Sequence, residues 1–101
     1  MASRLDLQSK LEELLNSNEV YYKPPKNTMM SYPAIRYKLQ DVIFNRADDS
    51  SYTKRNRYEV IVIDKKPDNP VIGKLLDLPY CSYDRQYIAD NLYHDVLILY
   101  W

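Results

Sequence analysis

Leucines recur on a helical period at the start of the chain. Leu5, Leu7, Leu11, Leu14 and Leu15 form one stripe over residues 4–16, with Lys10, Glu12 and Glu13 off it, so the spacing predicts an amphipathic helix. Ser3 is placed as its N-cap, with Asp6 three residues on in the manner of a capping box. Asn16-Ser17-Asn18 ends the helix with turn-forming side chains. Val20-Tyr21-Tyr22 reads as a short strand stopped by Pro24-Pro25. Proline cannot donate to a sheet ladder, so this strand is short or lies on an edge.

The period then changes to two. Over residues 32–39, Ile35, Tyr37 and Leu39 alternate with Arg36 and Lys38, the pattern of a strand with one buried and one wet face. Val42, Ile43 and Phe44 lead into a polar stretch. Residues 41–56 are therefore expected to form a long polar loop or an extended hairpin arm; a long loop in a compact domain is usually either functional or disordered. Tyr58 to Ile63 is a strong strand, and its Val60–Ile63 run is apolar on both faces, which predicts a central position in the sheet.

Asp64 to Asp68 reads as a turn, after which Asn69 caps a second helix with Pro70 at its first position. Val71, Ile72, Leu75 and Leu76 are its expected buried face, and Pro79 closes it. The remainder reads as a hairpin. Tyr80 to Ala89 runs out, Asp90-Asn91 turns without glycine, and Leu92 to Trp101 returns. A two-residue turn there puts Tyr87 opposite His94 and Arg85 opposite Val96. Residues 96–101 are apolar on both faces, so this strand is either central or covered by another chain.

The order is α-β-β-β-α-β-β, an α+β domain spanning residues 1–101 with an antiparallel or mixed sheet and both helices on one face. The expected core is Leu11, Leu14, Leu15, Ile35, Tyr37, Val60, Val62, Leu75, Leu76, Val96 and Ile98.

Composition narrows the function. Fourteen basic and fourteen acidic residues cancel, so no global field attracts nucleic acid or a membrane surface. No apolar run approaches the roughly 20 residues of a membrane span, and Met1-Ala2-Ser3-Arg4 leads directly into the amphipathic pattern without the apolar region of a signal peptide. A single glycine, Gly73, excludes glycine-rich phosphate loops and the dinucleotide fingerprint. Eleven tyrosines dominate the aromatics. Tyrosine suits half-buried sheet faces, and its apolar ring with a water-tolerant hydroxyl also suits protein interfaces.

Candidate chemistry is sparse. One cysteine and one histidine exclude the common zinc patterns and an internal disulfide, as expected of a chain that folds in a reducing compartment. His94 and Asp95 are neighbours on a strand, so their side chains point to opposite faces and cannot form a base–orienter pair. Cys81 reads as a small buried thiol, though His94 is within conceivable reach across the hairpin. Asp48-Asp49 read as a solvated loop tip. Lys54, Arg55 and Arg57 beside Tyr52 and Tyr58 interleave cations with rings, but the stretch falls short of a nucleic-acid footprint. No catalytic residue, metal or cofactor is assigned. The assigned candidates are protein-interface residues: Val42, Phe44, Asp48, Asp49, Tyr52, Lys54 and Arg55 on the 41–56 segment, and Tyr100 with Trp101 at the end of the last strand.

Several stretches carry a family likeness. Tyr22-Lys23-Pro24-Pro25 followed by Met30-Ser31-Tyr32-Pro33-Ala34-Ile35-Arg36-Tyr37 resembles the opening of small tail-completion proteins of tailed phages of Gram-positive hosts. Tyr58 to Asp68, Leu75 to Arg85 and Tyr87 to Val96 are similar to the same group, so the resemblance spans most of the chain from residue 20 onward. It implies a structural virion protein of the tail-terminator or head–tail connector type, with no enzymatic activity. Such a subunit would join a ring, commonly hexameric, that caps the tail tube at the neck, stops its polymerisation and offers a docking face to the head. The partners implied are other copies of the chain, the major tail tube protein and a head-completion or stopper protein. Genomic DNA would pass through the lumen without specific binding. The implied location is the tail neck of the virion, and the host cytoplasm during assembly. Two alternatives remain open: another neck component, such as a stopper, or a small phage- or host-encoded regulatory binding protein.

Overall fold

The computed structural model describes residues 4–25, 28–46 and 52–101, the side chains of 43–46 and 52–55 excepted. The elements follow in the order α1 (Arg4–Leu15), β1 (Val20–Tyr22), β2 (Ala34–Arg46), β3 (Tyr52–Asp64), α2 (Val71–Leu76), β4 (Cys81–Ala89) and β5 (Leu92–Tyr100). The α+β class and the element order are those expected from the periodicities.

The five strands form one mixed sheet in the order β1-β2-β3-β5-β4. β1 is parallel to β2, and the other pairs are antiparallel. The short proline-stopped strand β1 is an edge strand, and β3 with its doubly apolar run lies at the centre. β5 is internal, between β3 and β4, so its two apolar faces are explained within the chain. The β4–β5 hairpin has the expected register, with Tyr87 opposite His94 and Arg85 opposite Val96. Asp90 and Asn91 turn it at φ 54° and 61°, both in the left-handed region that a two-residue hairpin turn demands.

Local chemistry fixes the helix ends. Asn16 adopts φ 58°, and the Asn16 and Ser17 amides donate back to the carbonyls of Glu13 and Glu12, each at 3.2 Å. This is a Schellman termination with asparagine in the role usually held by glycine. The Asn69 side chain accepts the Val71 amide at 2.8 Å and donates to Asp64 at 2.6 Å, so it both caps α2 and ties the helix to the end of β3. The proposed N-cap Ser3 lies outside the described residues.

Both helices cover one face of the sheet. Leu7 and Leu11 from α1 and Val71 and Leu75 from α2 close over Ile35, Tyr37, Tyr58, Val60, Val62, Leu97 and Leu99. Tyr22, Tyr37 and Tyr58 form an edge-tilted row, with ring centroids 5.1 and 6.0 Å apart, so several of the tyrosines serve sheet packing. Arg4 stacks over Tyr22 at 4.4 Å, and Gln8 accepts the Tyr37 hydroxyl and donates to the Val20 carbonyl at 2.9 Å. The first turns of α1 are thus held to β1 and β2 by polar contacts as well as by leucine.

The second face is closed differently. Ile61, Ile63 and Val96 are buried there under Met30, Tyr87 and Leu92. The connection from β1 to β2 crosses this face, which is how Met30 reaches the cluster.

Two expected core residues, Leu76 and Ile98, are corrected, while Val96 is buried as expected. Leu76 is 41% exposed, because the six-residue helix turns only Val71 and Leu75 fully inward. Leu5, at 65% exposure, lies off the buried line of α1, which is Leu7 and Leu11. On β5 the helix side is Leu97 and Leu99, opposite Val60 and Tyr58. Val96 therefore belongs to the second cluster, and Ile98 is only half-buried on that second face.

Candidate assembly interface

Within the 41–56 segment, residues 41–46 and 52–56 form the two strands of a hairpin arm. β2 and β3 stay paired from Ala34↔Ile63 to Arg46↔Tyr52. β1 joins this pair only at residues 35–37, and β5 only from Arg57 to Asp64. Beyond those limits the two strands have only each other among the described residues, and the molecule is correspondingly long, 52 × 23 × 22 Å. The register shifts between Leu39 and Asp41, and such a bulge bends and twists the strand that carries it. It marks the point where the arm leaves the body. A two-stranded ribbon is marginal in water by itself, so the arm is a feature that a lone domain does not need.

Of the interface residues expected from the sequence, Val42, Phe44, Tyr52, Lys54 and Arg55 all sit on this arm. Val42 is half-buried opposite Asn56, and Phe44 is paired with Lys54. Asp48 and Asp49 lie outside the described residues. Tyr100 and Trp101 sit at the arm's root, where the Trp101 amide donates to the Asn56 carbonyl at 2.9 Å. They do not share a face. Tyr100 stands opposite Arg57 on the second face, while Trp101 packs against the helix-side core; both are half-buried.

A further surface had no signal in the periodicity. β4 is the other edge strand, and Tyr83 and Ile88 on it, with Tyr80 just before it, are exposed. Its sequence reads like that of any paired strand; only the sheet order reveals it as an edge.

The candidate chemical groups are held apart. Cys81 is paired with Leu99 and packs on the helix-side core, and burial pushes its thiol pKa up. His94 lies on the opposite face. Its ring stacks on Tyr87 at 4.7 Å and 12°, and Nδ1 is 3.1 Å from the Leu92 carbonyl. Asp95 points to the helix side, where it accepts the Tyr83 hydroxyl at 2.7 Å and the Gln86 amide at 3.1 Å. The bond to this carboxylate pushes the Tyr83 pKa up to about 12. No group of three or more His, Cys, Asp or Glu among the described residues is placed to hold a metal ion. No helix among them is long and apolar enough to cross a membrane.

No protein-family profile matches the chain, and no curated protein is significantly similar to it.

Proposed function

We propose that this chain is a structural assembly subunit of the tail-terminator type, which forms a ring at the neck of a phage tail, caps the tail tube and presents a docking face to the head. The observation that carries the reading is the β2–β3 arm, in which residues 41–46 pair with 52–57 and no third strand among the described residues flanks residues 41–46 and 52–56. A ring requires a heterologous contact, in which a projecting feature of one copy meets a different surface of the next and the rotation closes. The arm supplies the projecting feature, and the exposed edge of β4 supplies a receiving surface at the far side of the sheet. The likeness of the stretches 22–25, 30–37, 58–68, 75–85 and 87–96 to tail-completion proteins directs this assembly to the tail tube and the head-completion protein.

Native mass measurement tests the proposal. The protein is expected to form a ring alone or with tail-tube subunits. Replacing Ala47–Ser51 by an Asn-Gly turn, which suits a two-residue hairpin loop, is expected to leave a folded monomer that no longer assembles. Phe44→Asp is expected to do the same with an unchanged melting temperature. A chain that remains monomeric with tube subunits, or assembles normally in both variants, overturns the reading.

A further inference from the structure

The second face holds a basic cavity that the assembly reading does not use. It has a volume of about 290 Å³ and is lined by Lys23, Pro24, Arg36, Tyr37, Lys38, Glu59 and Ile61. It forms where β1 ends: Lys23 turns the chain with φ 45° while its amide still donates to the Tyr37 carbonyl at 3.0 Å. Arg36 and Lys38 are alternate residues of β2 and so share the face on which Glu59 and Ile61 stand opposite them. Arg36 and Lys38 thus stand beside one carboxylate, and Lys23, whose Nζ lies 5.5 Å from the centroid of the Tyr22 ring, adds a third cation to the lining.

Their own partners leave them underused. Lys38 reaches Glu59 only at 3.9 Å. The Arg36 guanidinium donates through Nη2 to the Tyr87 hydroxyl at a long 3.4 Å, and its Nε is buried with no hydrogen-bond partner among the described residues. Arg57, next to Glu59 along the same face of β3, also has a buried Nε without a partner there. Asp41, which stands opposite Arg57, is exposed and spends Oδ1 on the Val42 amide at 2.8 Å. Buried donors are almost always satisfied in folded proteins, and a guanidinium edge is suited to phosphate and carboxylate oxygens. The surplus of two positive charges matches a dianion. The cations arrive from two elements, the turn after β1 and strand β2, which fits a tetrahedral group better than a flat one.

We infer that this cavity binds a phosphate-class dianion, either free phosphate or a phosphomonoester. Arg36 and Lys23 hold its oxygens, and Glu59 limits its affinity.

Calorimetric titration and thermal melting at constant ionic strength test the inference, with inorganic phosphate and O-phosphoserine as probes and sodium chloride as the control. Phosphate or phosphoserine is expected to bind and to raise the melting temperature, since a ligand specific to the folded state stabilises it; whichever binds more tightly identifies the source. Arg36→Gln is expected to weaken binding at least tenfold. Because that change also removes the contact with Tyr87, Lys23→Gln, at an exposed side chain, serves as the second variant and is expected to weaken binding several-fold. Glu59→Gln is expected to tighten it. Binding of neither probe, equal binding by wild type and both cation variants, or an equal shift from chloride overturns the inference.

Discussion

The two faces of the central sheet bury comparable strand residues by different means. On one face, Ile35, Val60, Val62 and Leu97 disappear beneath leucines of α1 and α2. On the other, Ile61, Ile63 and Val96 are also buried, Ile61 and Ile63 a little less completely, but their cover is one crossing segment, a tyrosine that reaches across the strands to Arg36, and a stacked histidine. The first cover is apolar and continuous with secondary structure. The second is thin and mixed, and it leaves guanidinium groups inside the protein surface. A sheet face can thus be dry without a helix over it, and the cost is paid in polar groups held short of partners. The same contrast separates the places where stability resides from those open to a ligand.

The largest expected effect is at the helix-covered face. Leu11→Ala removes a fully buried side chain from the centre of that cluster and is expected to cost about 2–5 kcal/mol in urea denaturation. Matched truncations sharpen the comparison. Ile35→Val and Ile61→Val each delete one methylene from neighbouring strands on opposite faces. Both are expected within about 0.5–1.5 kcal/mol, with Ile35 the larger because helices close over it while the thinner cover above Ile61 can relax. Equal losses would show that the crossing segment packs as tightly as the helices.

A smaller effect is expected at high pH. The Tyr83 hydroxyl donates to Asp95, which raises its pKa to about 12, whereas in an unfolded chain tyrosine titrates near 10. A raised folded pKa means that this stabilisation is complete below pH ~10 and is lost as pH climbs through the folded value. Between those limits the stability of the wild type should therefore fall more steeply than that of Tyr83→Phe, as followed by chemical denaturation at a series of alkaline pH values. Burial also raises Tyr37 and Tyr58, so the difference between the two proteins is the quantity to read. Parallel curves would show that the Tyr83–Asp95 bond is not kept in solution. The smallest effect is expected at Leu76, which is exposed on α2. Leu76→Ala should shift the denaturation midpoint by no more than about 0.5 kcal/mol, and a loss like that of Leu11→Ala would show that α2 is turned about its axis.

The sequence by itself determined the elements, because their signals are local. The leucine period made α1, Asn69-Pro70 started α2, the Pro24-Pro25 stop left β1 short, and Asp90-Asn91 set the register of the last hairpin. Alternation also assigned Ile35 and Tyr37 to one face and Arg36 to the other. Tertiary structure alone decided what depends on residues far apart in the chain. Strands β3 and β5 are apolar at consecutive positions, so their own pattern does not say which side meets the helices; pairing of Tyr58 with Leu99 and Val60 with Leu97 chose it. The 41–56 segment has the polarity of a loop, and only the pairing of residues 41–46 with 52–57 made its described part an arm. The basic cavity is likewise a product of the crossing: Lys23 and Pro24 come to line one cavity with Arg36 and Glu59 because of the path the chain takes after β1, which no periodicity records.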